Sequence, residues 1–89
     1  MGLIIKTTGE KHKVSPKNGK DYKLKELKDI VDGYIEIVYL QNNEIMVVNE
    51  EGLINGLAYN STATKIARRV YPEAYIVGDV LVCKNNEVL

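Results

Sequence analysis

The sequence predicts one α+β domain in which two helices cover a mostly antiparallel sheet, forming a two-layer arrangement. The chain has 89 residues, the length of a single domain, so residues 1–89 are expected to fold as one unit. Several short segments are rich in β-branched residues and are separated by turn-forming residues. Two longer segments repeat apolar residues at helical spacing. The predicted element order is β-β-α-β-β-α-β.

The first half of the chain predicts two strands and a helix. Residues 3–5 are β-prone, and residues 11–15 can form a returning strand. The helix is predicted over residues 21–32, with Asp21 as its N-cap and Gly33 at its C-terminal end. Its apolar side consists of Leu24, Leu27, Ile30 and Val31.

The middle of the chain predicts an antiparallel hairpin. Residues 34–40 and 45–48 alternate along two strands, and the connection between them is short. Glu36 is a charge inside an otherwise apolar strand, and it lies on the same face as Tyr34. The simplest interpretation is a surface carboxylate that pairs with a lysine, which is common in proteins. The alternative is that Glu36 and Tyr34 form half of a cradle for a ligand, because a carboxylate accepts hydrogen bonds and a tyrosine ring offers a stacking surface.

A second helix is predicted over residues 61–71. Asn60 or Ser61 would cap its start, and Pro72 would end it. Its buried side consists of Ala63, Ile66, Ala67 and Val70. After it, residues 74–77 and 79–83 are β-prone around a bend at Gly78, and residues 84–89 are expected to form a loose tail.

The charge balance excludes some classes of partner. Twelve basic and twelve acidic side chains give a formal net charge of zero. This argues against nonspecific binding to nucleic acid or to an anionic membrane, and it leaves little repulsion between copies, so we expect a homo-oligomer. No apolar run approaches the roughly 20 residues of a membrane-spanning helix, and we expect a cytoplasmic protein.

The chain contains one cysteine, Cys83, and one histidine, His12. A single cysteine cannot form an internal disulfide, and one ligand of each kind is a poor basis for a zinc site. Neither residue has an identifiable partner for nucleophilic catalysis. We therefore expect no metal, no cofactor and no catalytic residues, and an enzyme is the least favoured class.

The segment NEEGLINGLAYN, residues 49–60, concentrates polar residues where a strand gives way to a helix. Adjacent carboxylates on an extended chain point to opposite faces, so Glu50 and Glu51 are poorly placed to share a proton. Glu51 is assigned to a surface loop, whereas Asn49 and Glu50 stay candidates for a binding site. Gly52 is expected to adopt a conformation that other residues avoid. Asn60 suits a helix N-cap, at an end where free N–H groups could also receive an anion.

Several segments together resemble a small family of domains of unknown function that is common in phages, plasmids and other mobile elements of bacteria. They are GYIEIVYL (33–40), IMVVNEEGLINGLAYN (45–60), the helix containing TKIARRV, and IVGDVLV (76–82). The resemblance extends from about Leu3 through Cys83. Members commonly have a proline within the equivalent of residues 56–60, and the sequence departs from that pattern near Ala58.

The resemblance implies a mobile-element origin and expression in the cytoplasm of the host. It brings no established biochemical activity with it. Carried over residue by residue, the family-like polar positions are the five candidate ligand-binding residues: Tyr34, Glu36, Asn49, Glu50 and Asn60. It marks Gly33, Gly52 and Gly78 as backbone positions.

Three hypotheses for function follow from these observations, in order of preference. The first is a non-catalytic protein that binds a small molecule at a site between subunits, such as an anti-defence sponge that sequesters a nucleotide immune signal. The second is a protein–protein interaction module that inhibits a host protein. The third is a nucleotide hydrolase that uses Glu36 or Glu50 as a general base.

Overall fold

A computed structural model describes residues 1–88 of the chain. Within them the chain forms five strands, two α-helices and one short 3₁₀ helix. The predicted α+β class and the order of strands and helices are confirmed. The elements are β1 (Gly2–Ile5), β2 (Lys11–Val14), α1 (Leu24–Val31), β3 (Ile35–Tyr39), β4 (Glu44–Asn49), α2 (Ser61–Ala67), β5 (Val80–Lys84) and the 3₁₀ helix Asn85–Glu87.

The five strands form one antiparallel sheet in the order β2-β1-β5-β4-β3. β5, the last strand in the sequence, lies at the centre and joins the two hairpins β1-β2 and β3-β4. β2 and β3 are consequently the two edges of the sheet. In the β3-β4 hairpin Ile37 lies opposite Val47, and Glu36 lies opposite Val48.

The two helices lie on opposite faces of this sheet. On the face that we call the α1 face, Leu27 of α1 packs in one buried cluster with Val47 and Leu81. On the other, the α2 face, Ala63 of α2 packs with Met46 and other buried side chains. Successive residues of β4 and β5 alternate between the two clusters, as the pleat of a strand requires. The central strands are therefore buried on both sides, with one helix layer on each face. The domain thus has three layers instead of the predicted two, because the apolar sides of the two helices meet opposite faces of the sheet.

The α1 helix begins three residues later than the sequence predicts. Lys23 is the N-cap, and the carboxylate of Glu26 accepts a hydrogen bond from its backbone N–H at 2.8 Å. Asp21 does not cap the helix, because its carboxylate accepts a hydrogen bond from the amide of Asn18 at 2.8 Å. Leu24, expected on the apolar side, is 59% exposed. The helix ends at Val31, and its C-cap, Asp32, adopts a left-handed conformation with φ 60° ahead of Gly33.

The α2 helix begins where predicted but is shorter. Asn60 is its N-cap, and its side chain accepts a hydrogen bond from the backbone N–H of Ala63 at 3.0 Å. The regular helix ends at Ala67 instead of residue 71. The N–H of Arg69 bonds to the carbonyl three residues earlier, and this tighter pattern closes the last turn before Pro72.

Two further expectations about the C-terminal part are wrong. Residues 74–77 do not form a strand; only Val77 makes an isolated bridge, to Tyr59. Residues 84–88 are not a loose tail, because β5 includes Lys84 and the 3₁₀ helix buries Glu87. The carboxylate of Glu87 accepts hydrogen bonds from the amino group of Met1 and the backbone N–H of Lys84. The remaining part of the predicted tail, residue 89, lies outside the described residues.

Candidate functional site

An open cleft of about 360 Å³ lies on the α2 face, beside the edge strand β3. α2 is short and covers only part of this face, so the loops after β4 and α2 form the remaining walls. Val38, Val48, Ile76 and Val77 contribute apolar surface to the cleft. The other residues that line it are Glu36, Asn49, Glu50, Gly52, Leu53, Ile54 and Tyr75. We call this site the acidic cleft.

The cleft contains two carboxylates and no cationic side chain among its lining residues. Glu36 lies opposite Val48 in the hairpin, and the backbone N–H of Glu50 donates to the carbonyl oxygen of Tyr34 at 2.9 Å. Because opposed residues of an antiparallel pair share a face, this pairing directs Glu36 and Glu50 to the same side of the sheet. Within residues 1–88, neither carboxylate forms an ion pair. The proposed pairing of Glu36 with a neighbouring lysine is therefore not observed.

Three exposed apolar side chains stand at the rim of the acidic cleft. Leu53 is 68% exposed, Ile54 is 84% exposed and Tyr75 is 56% exposed. The ring of Tyr75 packs against the ring of Tyr59 with centroids 4.8 Å apart. None of these residues was expected at a site. The sequence does contain one indication of this rim, the apolar pair Leu53-Ile54 inside an otherwise polar loop. Apolar side chains that the chain itself does not bury are typical of a binding surface.

Asn49 lines the cleft, but its side chain is engaged by the fold. It is buried, and its Nδ2 donates to the carbonyl oxygens of Val31 at 3.0 Å and of Asp32 at 3.2 Å. Its Oδ1 accepts a hydrogen bond from the backbone N–H of Glu51 at 2.8 Å. Asn49 thus shapes the turn that positions Glu50, and it satisfies carbonyl groups at the end of α1.

Asn60 and Tyr34 lie outside the acidic cleft. Nδ2 of Asn60 donates to the carbonyl oxygens of Ile5 at 3.0 Å and of Gly78 at 2.9 Å, so both of its N–H groups are used. Tyr34 is 62% exposed, and Nζ of Lys28 lies 4.8 Å from the centroid of its ring. The structure therefore brings Glu36, Asn49 and Glu50 together at one site and separates the other two predicted residues from it.

Gly52 is required by close packing. Its φ is not among the positive values of the chain, so the expectation of an unusual conformation is wrong. A Cβ atom at this position would lie 2.6 Å from Cγ2 of Val77. Gly78 does adopt a positive φ of 79°, and a Cβ there would lie 2.8 Å from Cδ1 of Leu57. These two glycines allow the loops around the cleft to pack closely.

The edge strand β3 continues the cleft into a second groove of about 350 Å³. Glu36, Val38 and Ile76 line both. At the far end, the hydroxyl of Tyr71 donates a hydrogen bond to the carbonyl oxygen of Tyr39 at 2.8 Å. The acidic cleft and this groove therefore form one continuous surface alongside β3.

The comparisons with known proteins identify the family. A family model described as "Domain of unknown function (DUF3846)" matches residues 1–88. The chain belongs to this family. No curated protein and no solved structure matches it. The DUF3846 match therefore agrees with the resemblance to a small family of uncharacterised domains, and it carries no activity, ligand or partner with it.

The remaining chemically reactive groups of this DUF3846 domain lie away from the cleft. Cys83 is buried on the α1 face, and burial raises the pKa of its thiol to about 12. His12 is exposed on β2, the opposite edge of the sheet, where its Nε2 lies 3.7 Å from the carboxylate of Glu10. Across residues 1–88, no three His, Cys, Asp or Glu side chains gather closely enough to hold a metal ion. In the same part of the chain, neither α-helix has the length and apolar character to cross a membrane.

Proposed function

We propose that the protein is a non-catalytic binding module that holds a polypeptide segment of a partner protein in the acidic cleft. The observation that carries this proposal is the combination of two carboxylates, Glu36 and Glu50, with an exposed apolar rim. Neither carboxylate has an ion-pair partner within residues 1–88, and the rim consists of Leu53, Ile54 and Tyr75. This is the chemistry that a protein segment with both basic and apolar side chains would complement.

The apolar rim supplies the driving force for such binding. Fully burying a side chain such as Leu53 or Ile54 stabilises by roughly 1.5–3 kcal/mol relative to leaving it in water. Tyr75 adds a large amphipathic ring, a side chain that is enriched at the centres of protein interfaces. Because Leu53 and Ile54 are largely exposed in the free chain, a partner that covers them gains most of this burial free energy on binding.

The charge of the cleft disfavours an anionic ligand. A nucleotide carries phosphate groups, and Glu36 and Glu50 would repel them with no cationic residue in the lining to compensate. Sequestration of a nucleotide immune signal by a protein of mobile-element origin stays a prediction, and it requires cations supplied by a second subunit. The hydrolase hypothesis, with Glu36 or Glu50 as general base, also stays a prediction.

Selection from a displayed library of random 12-residue peptides tests the proposal. We expect the immobilised protein to enrich peptides that combine basic and apolar residues. Their dissociation constants, measured by calorimetry, should rise about tenfold or more in Ile54→Ser and in the double variant Glu36→Gln/Glu50→Gln. Glu51→Gln is the matched control, because Glu51 is exposed and adjacent but does not line the cleft.

Two results would overturn the proposal. One is a library that yields no binding peptide; a rise in melting temperature on adding cyclic or ADP-ribose-derived nucleotides would then favour the small-molecule hypothesis. The other is a selected peptide whose affinity is the same for the wild type, Ile54→Ser and the double glutamine variant.

A further inference from the structure

We infer that the partner segment binds as an additional β-strand along the free edge of β3, with a lysine or arginine side chain directed at Glu36 and Glu50. This inference rests on the proposed function and specifies how the partner is held and what residue pattern it must carry.

The backbone of β3 has a free hydrogen-bonding edge. The N–H of Glu50 bonds to the carbonyl of Tyr34, and the N–H of Leu40 bonds to the carbonyl of Glu44, both at 2.9 Å. In an antiparallel pair the hydrogen-bonded residues alternate, so the even-numbered residues of this strand bond to β4. The N–H and C=O groups of Ile35, Ile37 and Tyr39 consequently point away from the sheet.

Within residues 1–88, only one of these outward groups has a protein partner. It is the carbonyl oxygen of Tyr39, which accepts the hydroxyl of Tyr71. The N–H and C=O groups of Ile35 and Ile37 are left for an added strand. Tyr71 therefore marks one end of the free edge, and the added strand would pair mainly alongside Ile35–Ile37.

The two edges of the sheet are differently protected. The β2 edge carries Lys11, His12 and Lys13, and all three are exposed. Lysines on an edge strand discourage pairing with another strand. The β3 edge has no lysine, and Glu36 is the only charged residue within the strand. Of the two edges, β3 is thus the one whose side chains permit strand addition.

The alternation of side chains defines the pattern of the partner. Glu36 and Val38 project from β3 toward the α2 face, beside the acidic cleft. Ile35 and Ile37 project toward the α1 face, where they pack against the apolar cluster. The side chains of an added strand alternate in the same way. Basic residues that face the α2 side would lie next to Glu36. Apolar residues that face the α1 side would extend the surface formed by Ile35 and Ile37.

A second copy of the chain fits this edge less well. If two β3 strands paired about a two-fold axis through Ile37, Glu36 would face Val38 of the other copy and stay without a cation. If the axis passed through Glu36, two carboxylates would face each other, which is unfavourable. The unpaired charge on the edge therefore favours a basic segment over self-pairing.

The test uses a synthetic seven-residue peptide with capped ends that alternates valine and lysine. Binding is followed by titration of the ¹⁵N-labelled protein, and amide hydrogen exchange is measured with and without peptide. We expect the amides of Ile35 and Ile37 to shift and to become protected from exchange. Two N-methylated peptides are compared, one methylated at the odd-numbered residues and the other at the even-numbered residues. Only one of these sets of N–H groups faces β3, so one peptide should lose binding and the other should keep it.

The matched peptide with glutamate in place of lysine should bind at least about tenfold more weakly, and Glu36→Gln should remove most of that preference. Library peptides that bind at the cleft without shifting Ile35 or Ile37 would overturn the inference while leaving the proposed function intact. Equal binding of the two N-methylated peptides would also overturn the inference while leaving the proposed function intact. If neither library peptides nor the valine-lysine peptide bind, the proposed function itself fails.

Self-association is the remaining outcome to exclude. Light scattering over a range of protein concentrations reports whether a dimer forms, and amide exchange of the free protein reports whether β3 holds it. We expect no dimer held through β3. A dimer that protects the amides of Ile35 and Ile37 in the free protein would overturn the inference, because the second copy would then occupy the edge.

Discussion

The side-chain amide of Asn49 donates a hydrogen bond to the backbone carbonyl oxygen of Val31 over 3.0 Å, and so joins the end of β4 to the end of α1. The same Nδ2 also reaches the carbonyl oxygen of Asp32. The last carbonyl groups of a helix have no partner within it, so this buried side chain supplies what the helix lacks. The wall of the acidic cleft therefore depends on a contact with the helix on the other face of the sheet.

Asn49→Ala is expected to lower the free energy of unfolding by about 2–3 kcal/mol, because it leaves the buried carbonyl of Val31 and the partly buried carbonyl of Asp32 without the donor they share. Denaturation in urea measures the difference. Asn55→Ala is the control, since Asn55 is exposed and does not line the cleft; it should change stability by no more than about 0.5 kcal/mol. Equal stability of the two variants would show that the Asn49 contacts do not hold the structure together.

Asn60 allows capping to be separated from hydrogen-bond donation. Asn60→Asp retains an oxygen that can accept from the N–H of Ala63, but it loses both N–H groups that bond to Ile5 and Gly78. If the residue were only a helix cap, aspartate would serve equally well. We expect Asn60→Asp instead to destabilise by about 2 kcal/mol or more, because a carboxylate would then face two buried carbonyl oxygens. Thermal and urea unfolding of Asn60→Asp and Asn60→Ala provide the measurement.

These two asparagines also show which contacts can be predicted from the sequence and which cannot. The N-cap role of Asn60 was predicted because it depends on neighbours within three residues. The other bonds of Asn60 reach residues 55 and 18 positions away, and only the fold brings them into range. For the same reason, Glu36 and Glu50 could be selected as polar residues of interest, but the shared cleft required the register of β3 and β4.

The division of the helices between the two faces was also beyond local sequence patterns. Each helix shows which of its sides is apolar, but nothing local states which sheet face that side meets. The near-continuous apolar runs of β4 and β5 are typical of strands buried on both faces, and this was the usable indication. The position of β5 between the two hairpins likewise depends on pairing with β1, which is distant in the sequence.

Gly52 and Val77 are predicted to be coupled. Gly52→Ala places a Cβ 2.6 Å from Cγ2 of Val77 and should cost about 1–3 kcal/mol of stability through overpacking. Val77→Ala removes the obstructing methyl group, so the double variant should lose less stability than the sum of the two single variants. A double-mutant cycle measured by urea denaturation tests this coupling. Strict additivity would indicate that the loop moves aside without strain.

Glu87 is expected to make stability depend on acidic pH. Burial opposes its charge, but hydrogen bonds from the Met1 amino group and the Lys84 backbone N–H prevail and hold the pKa of the carboxyl below its ordinary value. A depressed pKa in the folded state contributes stability that is present above the unfolded pKa and is lost as the pH falls through the folded pKa. Glu87→Gln should therefore be less stable than the wild type at neutral pH and approach it in acid. Glu73→Gln, which removes a carboxylate at an exposed position, is the control and should change stability at neutral pH by no more than about 0.5 kcal/mol.

Cys83 is predicted to resist thiol reagents while the protein is folded. Its side chain is 2% exposed, and burial raises the pKa of the thiol to about 12, so little reactive thiolate exists at pH 8. Because it is the only cysteine, one labelling measurement reports on it alone. Iodoacetamide at pH 8, followed by mass spectrometry, should label the native protein slowly and the urea-unfolded protein completely. The matched control is the double variant Cys83→Ala/Ile54→Cys, which moves the single thiol to the rim of the acidic cleft and should label rapidly without denaturant. Fast labelling of native Cys83 would mean that the central strand β5 opens readily, and the packing of the sheet between two helices would then be less stable than the buried contacts indicate.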